Sequence, residues 1–322
     1  MKPLVSIIIP TFNRSHLLGE TLDSVLLQEI EDWECLVIDD GSTDRTVELM
    51  DFYTQRDKRI KYYFRPAMKP KGANSCRNFG FDLSRGKYIQ WLDSDDLISS
   101  KKIKAQVDLL DSHDGSLATC KWGKILETGK SFIFENLQSY KNFQSPPEFL
   151  NTLTYSQGYF PIHAYLMKRT LIDKAGLWLE GLEINQDGEF ISRIFCHINK
   201  VYFSGEGFVL YRRDSSESTS NIDREQFTRL INSWTRIEKN LESRFEILDL
   251  NFVQEAKRRI FIKYRGDAKL IEQNKEFFGS IPEEEPSDLK LNIYRMIVRF
   301  AVSRNLLRLT KNLRRGRFSF EK

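Results

Sequence analysis

The sequence predicts an α/β protein in which a mostly parallel sheet is flanked by helices, followed by a helical C-terminal extension. The first observation is the alternation of short apolar runs with helical patterns over the first hundred residues. Such alternation implies βαβ units and a parallel sheet. The second observation is that two of the apolar runs end in clustered acids. The predicted strands are 4–10, 33–38, 60–64 and 87–92, and the predicted helices between them are 16–28, 43–56 and 72–84.

Each of these elements has a local signal. The first strand is a continuous apolar run that stops at Pro10, as expected for a strand buried on both faces. The helix after it places Leu18, Leu22 and Val25 on one side. Beyond residue 100 the alternation of strands and helices is less regular. Helices are predicted at 101–111, 170–175 and 186–197, and strands at 116–126, 131–135, 158–167 and 201–212. Residues 224–275 are predicted to be mostly helical.

Composition describes an ordinary globular chain with an uneven charge distribution. The chain has 322 residues, 40% hydrophobic content and a net charge of +4. Four widely spaced cysteines form no zinc-ligand pattern and suit a reducing compartment. No signal-peptide layout opens the chain, and no apolar run reaches the roughly 20 residues of a membrane span. The sequence therefore predicts a cytoplasmic protein whose membrane contact, if any, is peripheral.

The C-terminal segment carries the basic charge. Residues 287–322 contain ten Lys or Arg and two acids. After an acidic linker at 281–286, apolar residues recur at helical spacing over 288–312 with basic residues between them. Such a helix is typical of docking on an anionic membrane surface. The alternative is a helix packed on the body with a solvated basic face. Nucleic-acid binding is disfavoured because no recognition module accompanies the charge.

Acids at the strand ends predict a ligand site. Asp39 and Asp40 follow the second strand, and Asp93, Asp95 and Asp96 follow the fourth. Carboxyl ends of parallel strands share one sheet edge, where α/β proteins bind ligands. Clustered carboxylates favour a cation such as Mg²⁺ or Mn²⁺ on a diphosphate. The alternative for both clusters is an acidic turn that caps the following helix.

Other nucleotide and catalytic motifs are missing from the sequence. It has no Walker phosphate loop, no G-x-G-x-x-G and no G-x-S-x-G elbow. The four histidines show no ligand spacing, although His163 is notable because it lies in an apolar segment.

Four motifs follow one another in the first hundred residues: VSIIIPTFNR (5–14), VIDDGSTD (37–44), KGANSCRNFG (71–80) and GKYIQWLDSDD (86–96). Taken in this order, they resemble the family 2 glycosyltransferases, inverting enzymes of the GT-A fold that use nucleotide diphosphate sugars. The resemblance is close over the first third of the chain and continues loosely to about residue 215.

The resemblance implies roles for particular residues. Asp40 matches the acid that contacts uracil, Arg77 a basic residue near the nucleotide, and Asp95 and Asp96 the metal ligands for Mn²⁺ or Mg²⁺. Asp187 matches the catalytic base, although Gln186 replaces the acid that usually precedes it. The residues expected to contact the nucleotide sugar are Pro10, Thr11, Phe12, Asn13, Arg14, Asp39, Asp40, Arg77, Asp93, Ser94, Asp95, Arg212 and Arg213.

The same resemblance implies an organisation and a set of partners. Residues 1–220 are expected to form a GT-A domain, with a nucleotide-binding half (1–98) and an acceptor-binding half (99–220). A helical extension (221–280) and the linker with the basic helix (281–322) follow. The expected partners are a nucleotide-sugar donor, with a uridine nucleotide favoured, and a carbohydrate or lipid-linked saccharide acceptor of cell-surface polysaccharide or glycolipid synthesis.

Two alternative functions remain at this point. A sugar nucleotidyltransferase also uses carboxylates and a metal on a similar sheet, but it needs a glycine-rich basic first loop that this sequence lacks. A non-catalytic nucleotide-sugar-binding protein is suggested by Gln186. Only turnover separates these from a transferase, since all three bind nucleotides.

Overall fold

The computed structural model describes residues 2–155, 160–212, 224–246 and 250–279. The residues through Phe277 form one compact unit. Arg213, the acidic linker and the basic C-terminal helix lie outside the described residues, so those predictions stay predictions. The elements of the first part are β1 (Val5–Thr11), α1 (Ser15–Leu26), β2 (Trp33–Asp39), α2 (Thr46–Arg56), β3 (Ile60–Phe64), α3 (Ala73–Leu83) and β4 (Tyr88–Trp91).

All seven of these elements were predicted from the sequence, with ends that differ by at most three residues. The pattern worked because β1 and β2 are buried along their whole length, which gives mostly apolar runs. Each intervening helix buries one face against the sheet. Cys35 is fully buried in β2, as the sequence indicates.

The second part completes two sheets. Its elements are β5 (Leu97–Ile98), α4 (Lys102–Asp111), β6 (Ser116–Ile125), β7 (Ser131–Ile133), α5 (Pro146–Tyr155), β8 (Met167–Lys168), α6 (Arg169–Ala175), α7 (Gln186–Phe195) and β9 (Lys200–Arg212). The helical extension, confirmed over its described residues, comprises α8 (Arg224–Glu242), α9 (Asn251–Tyr264), α10 (Ala268–Gln273) and α11 (Lys275–Phe278).

The main sheet has the order β3-β2-β1-β4-β8. Strands β1 to β4 run parallel, and the short β8 pairs antiparallel with β4 at the edge. The strand order reverses between β1 and β4. This reversal opens a crevice beyond the carboxyl ends of the strands, where open α/β sheets bind ligands.

The second sheet places the C-terminal end of β9 (Lys200–Arg212) beside the acidic cluster at 93–96. Its order is β5-β9-β6-β7, and β5 pairs antiparallel with β9 through Leu97 opposite Leu210. Because β5 directly follows the acids at 93–96, this pairing places Arg212 beside them. The contact joins residues more than a hundred positions apart in the sequence.

One predicted strand is wrong. Of the stretch 158–167, residues 160 and 161 are irregular, Ile162–Ala164 forms a 3₁₀ turn, and only Met167 begins β8. Pro161 lacks an N–H and restricts its own backbone, which prevents a continuous ladder. The run is apolar because it is buried, and periodicity alone does not distinguish a buried strand from a buried irregular segment.

The sequence interpretation also missed helix α5. It begins at Pro146, and proline is well suited to a first helical turn because its missing N–H has no partner there in any case. Phe149, Leu150 and Leu153 are buried on one face of the helix. Helix α9 packs against α5, and α8 packs against α7. Among the described helices, none combines the length and apolarity that crossing a membrane requires.

Candidate functional site

The predicted site residues converge on one polar pocket at the crevice between β1 and β4. The pocket has a volume of about 460 Å³, within the range of small-molecule sites. Its lining comes from the ends of β1 and β9, from the loops after β1, β2 and β4, and from the N-terminal turns of α3 and α7. The lining residues are Pro10, Thr11, Phe12, Arg14, Asp40, Ala73, Cys76, Arg77, Asp93, Ser94, Asp95, Gln186, Asp187, Tyr211 and Arg212.

Asp40 stands on the pocket wall with its carboxylate fixed from two sides. Oδ2 accepts a hydrogen bond from the backbone N–H of Gly72 at 2.8 Å, and Oδ1 pairs with the guanidinium of Arg65. Gly72 has a φ of 131°, which favours glycine, and it directly precedes α3. The carboxylate is therefore held as an oriented acceptor at the pocket.

Asn13 and Asp39 belong to the scaffold behind the pocket rather than to its wall. The fully buried Asp39 accepts from the N–H groups of Gly41 at 2.8 Å and Ser42 at 2.6 Å. This is the turn that the alternative interpretation of the Asp39-Asp40 pair predicted. Asn13 Oδ1 accepts from the N–H of Thr43 at 2.8 Å, so it joins the loops after β1 and β2.

Arg77 is the central cation of the pocket. Its guanidinium is buried, donates to Oδ1 of Asp93 at 2.7 Å and to Oδ1 of Asn74 at 2.9 Å. It also lies over the ring of Trp178, 4.4 Å from the centroid. These contacts orient the Arg77 side chain, which α3 supplies, toward the acids at the end of β4. Arg77 thus neutralises one carboxylate of the cluster.

Asp95 is a carboxylate of the cluster with a tendency to hold a proton near neutral pH. Burial, together with the negative charges of Asp96 and Asp93, raises its pKa to about 7. The guanidinium of Arg14, 3.7 Å away, opposes this shift. A bound cation would remove the repulsion that raises the pKa. The helix-capping alternative for the cluster is not observed, because α4 begins after Lys101 without a side-chain cap.

Asp96 points inward from the pocket, into a fully buried cluster. Its Oδ1 accepts from the backbone N–H of Arg212 at 2.7 Å, and its Oδ2 lies 3.0 Å from Nδ1 of His163. Ligand atoms of Asp93, Asp96 and His163 all lie within 4.8 Å of one another. Within the described residues, this is the set of side chains that could hold a metal ion; the sequence had pointed to Asp95 and Asp96.

Arg212 also connects the two halves of the site through its side chain. The guanidinium donates from Nε to the backbone oxygen of Asp95 at 2.9 Å and from Nη2 to Oε2 of Glu20 at 2.7 Å. It therefore orders the turn that carries the acidic cluster and contributes positive charge to the pocket rim.

Asp187 lies in the first turn of α7. Its Oδ1 is buried and has no hydrogen-bond partner among the described residues. Burial raises the pKa of Asp187 to about 6, against the lowering effect of Arg77. Asn185, just before the helix, adopts a left-handed backbone with a φ of 56°, a conformation that costs energy in a non-glycine residue.

The two acids nearest to Asp187 in the sequence, Glu183 and Glu189, form ion pairs with other side chains. Glu189 is buried and bound by Arg193, with Nε–Oε1 and Nη2–Oε2 distances of 2.8 and 3.0 Å. Glu183 pairs with Arg229 at the surface. Neither lines the polar pocket, so Asp187 is the acid of this segment that faces it.

A second, apolar cavity of about 710 Å³ meets the polar pocket at Asp187. Gln186, Asp187 and Tyr211 line both spaces. Helices α5, α7, α8 and α9 form most of the apolar wall. Its apolar and aromatic lining residues are Leu150, Leu153, Phe160, Tyr165, Ile184, Ile191, Phe195, Leu230, Trp234, Ile237, Leu241 and Phe252.

Two site contacts were not anticipated from the sequence. Arg65 directly follows β3, so the rule that ligands gather at carboxyl ends of parallel strands could have identified it. The pairing of His163 with Asp96 joins residues far apart in the chain, and only the unusual presence of a histidine in an apolar run hinted at it.

Solved structures share this fold. S. aureus TarS (residues 1–349) in complex with UDP-GlcNAc superposes with a TM-score of 0.62 at 18% identity, covering 86% of this chain and 78% of that one. The mannosyltransferase PcManGT from Pyrobaculum calidifontis, in complex with GDP-Man and Mn²⁺, gives a TM-score of 0.58 at 13% identity, covering 95% and 83%. The predicted GT-A fold is thus confirmed.

Sequence comparison gives the family. Uncharacterized glycosyltransferase EpsJ of Bacillus subtilis is 28% identical over 222 residues, which cover 68% of this chain and 64% of EpsJ. A Haemophilus influenzae glycosyltransferase is 37% identical over 151 residues, 44% of this chain and 60% of that protein. The chain thus spans less than two thirds of both relatives. The model of glycosyl transferase family 2 matches residues 6–175, more than half of the chain, and the chain therefore belongs to that family.

Proposed function

We propose that the protein is an inverting glycosyltransferase that moves a sugar from a nucleotide diphosphate sugar to an acceptor hydroxyl. The observation that carries the proposal is the position of Asp187, at the junction of a charged pocket and an apolar cavity. The donor would occupy the charged pocket and the acceptor the cavity. Both reacting groups would then meet at one carboxylate.

The donor assignment is supported by the pocket's charges. Arg14, Arg77 and Arg212 line it and suit the phosphates, while Asp40 presents an oriented acceptor for a base N–H. A uridine nucleotide is our proposed donor because Asp40 matches the family's uracil-contacting acid. TarS was solved with UDP-GlcNAc, in agreement with this choice.

The residues present fit a divalent cation. Asp93, Asp96 and His163 place oxygen and nitrogen donors together, and Oδ2 of Asp96 has no hydrogen-bond partner among the described residues. We propose Mn²⁺ or Mg²⁺, which when bound neutralises charge on the leaving diphosphate. PcManGT was solved with Mn²⁺.

In this mechanism Asp187 accepts the proton of the acceptor hydroxyl as its oxygen attacks the anomeric carbon. A base is effective when its pKa lies near the working pH, and burial has raised the pKa of Asp187 to about 6. Arg212 and Arg77 stay within the pocket to offset the negative charge of the departing nucleotide diphosphate. The single displacement inverts the anomeric configuration.

The apolar cavity supports an acceptor carried on an apolar group, such as a lipid-linked saccharide. A free oligosaccharide needs many hydrogen-bonding partners, whereas the side chains of this wall are mostly aliphatic and aromatic. The saccharide hydroxyl would lie at Asp187 while the apolar group extends toward Trp234 and Phe252.

The test is Asp187→Asn, assayed for sugar transfer against a panel of nucleotide sugars with a lipid-linked acceptor. We expect transfer to fall by about 10²–10⁴-fold, the usual contribution of a general base. Nucleotide binding, followed by thermal shift, should be unchanged because the substitution conserves size. Asp173→Asn, which alters an exposed acid of α6 that lines neither the pocket nor the cavity, is the matched control and should keep full activity. An active Asp187→Asn enzyme would contradict the assignment.

A further inference from the structure

His163 is a fully buried imidazole that the sequence motifs leave unassigned. It lies in the 3₁₀ turn Ile162–Ala164, whose backbone oxygens accept hydrogen bonds from two glutamine side chains. Gln90 Nε2 donates to the oxygen of His163 itself at 3.0 Å, and Gln106 Nε2 donates to the oxygen of Ala164 at 2.9 Å. The imidazole is therefore held in place at the base of the acidic cluster.

Neither ring nitrogen of His163 has a hydrogen-bond partner among the described residues. Nδ1 faces Oδ2 of Asp96 at 3.0 Å, within ion-pair distance, but neither atom has a partner with hydrogen-bond geometry among the described residues. Buried polar atoms without partners cost free energy, so such atoms in a native protein call for a missing partner. Here Nδ1 of His163 and Oδ2 of Asp96, both able to bind a metal ion, face the same space.

The distances suit a metal ion. Ligands bonded to one ion at about 2.1 Å lie at most about 4.2 Å apart. The ligand atoms of Asp93, Asp96 and His163 lie within 4.8 Å of one another, close to this limit, so the side chains would have to draw slightly together around an ion. Arg77 holds Oδ1 of Asp93, which leaves Oδ2 for the ion.

We propose that His163 is a nitrogen ligand of the metal ion, together with Asp93 and Asp96. The inference rests on the proposed function in one respect: the ion is the one that serves the nucleotide diphosphate. Asp93 lines the polar pocket, so an ion held at this set has one side toward the donor. His163 is supplied by the acceptor-binding half and thus ties the two halves together.

The nitrogen ligand has a consequence for metal choice. Purely oxygen sites suit Mg²⁺ and Ca²⁺, whereas imidazole favours transition metals, with affinity rising from Mn²⁺ to Co²⁺. The site should therefore prefer Mn²⁺ and Co²⁺ over Mg²⁺. His163→Asp, which replaces nitrogen by oxygen, should reduce that preference.

The experiment is pulsed electron paramagnetic resonance of Mn²⁺ bound to the full chain with UDP. We expect a ¹⁴N coupling that changes to the ¹⁵N pattern when the protein is labelled with ¹⁵N-histidine. This measurement needs no variant. In His163→Gln the coupling should disappear and the Kd for Mn²⁺ should rise by more than about tenfold. His197→Gln, which alters an exposed histidine, should change neither.

The outcomes separate this inference from the proposed function. Bound Mn²⁺ without histidine nitrogen coupling, or sugar transfer without any Mn²⁺ binding, would overturn the inference and leave the transferase proposal standing. Nitrogen-coupled Mn²⁺ in a protein that transfers no sugar would uphold the metal site and count against the transferase proposal.

Discussion

The polar pocket and the apolar cavity share Asp187 but are built by opposite means. The pocket is made of charged side chains fixed in pairs, such as Arg77 with Asp93 and Arg65 with Asp40. The cavity is made of aliphatic and aromatic side chains from four helices. In the proposed function, one region would recognise its substrate by direction and charge, and the other by shape and exclusion of water.

The difference teaches where each region is vulnerable. Removing one member of a buried ion pair leaves an uncompensated charge, so a single substitution in the pocket has a large effect. An apolar wall tolerates substitutions that conserve volume and responds to those that fill or empty it. If the two regions hold separate substrates, each class of substitution should affect one substrate only.

The largest expected effect is that of Arg65→Met, which leaves the carboxylate of Asp40 without its cation. Both side chains are about nine-tenths buried, with 8% and 13% of their surface exposed. We expect the free energy of unfolding in urea to fall by about 3 kcal/mol, the order reported for broken buried pairs. The Kd for the nucleotide should rise and the KM for the acceptor should stay unchanged.

Arg45→Met is the control for this prediction. Arg45 pairs with Glu48 at the surface, where 87% and 77% of the two side chains are exposed. Its removal should change neither stability nor binding measurably. Equal losses of unfolding free energy and nucleotide affinity in the two variants would show that the buried Arg65–Asp40 pair contributes no more than a surface pair.

The next effect is that of Leu230→Trp, which fills part of the apolar cavity from α8. We expect the KM for a lipid-linked acceptor to rise by about tenfold or more, a loss of about 1.4 kcal/mol in binding. The KM for the donor should not change. Initial rates with each substrate varied in turn provide the measurement.

Ile262→Trp is the matched substitution outside the cavity. Ile262 is 38% exposed on α9 and does not line the cavity. It should leave both KM values as they are. If Leu230→Trp instead weakened only the donor, the assignment of the two regions would be reversed.

The smallest effect concerns pH. Asp187 must lack its proton to act as the base, and burial raises its pKa to about 6, so the protonated form persists to higher pH than for an ordinary carboxyl. We expect kcat/KM to be level from about pH 7 to 8 and to fall about tenfold per unit below pH 6. Initial rates across pH 5–8 test this.

Binding must be measured over the same range, because the pKa of Asp95 is raised to about 7 and this residue lines the polar pocket. The Kd of the nucleotide at each pH separates the two titrations. Asp173→Asn, at an exposed position outside both the pocket and the cavity, should retain the wild-type profile. A rate that stays level down to pH 5 would remove Asp187 from the role of base.

Much of this arrangement could be predicted without coordinates. Strands β1, β2 and β4 are mostly apolar runs, and the acids after β2 and β4 had to share an edge once the sheet was parallel. The strand predicted at 158–167 was wrong because burial alone, without strand pairing, made this run apolar. It is buried by its surroundings without being a strand, and an apolar run looks the same in both cases.

The sequence by itself determined the α/β class and the parallel edge that carries the acids, which follow from local apolar periodicity. Its resemblance to family 2 pointed to the segment that begins with Gln186 and Asp187. Only the tertiary structure decided that Asp39 is bound within its own turn, that Asp40 is held by Arg65, and that Asp96 faces His163. Such pairings depend on how distant segments meet in space, and a side chain's neighbours across the fold leave no periodic trace along the chain.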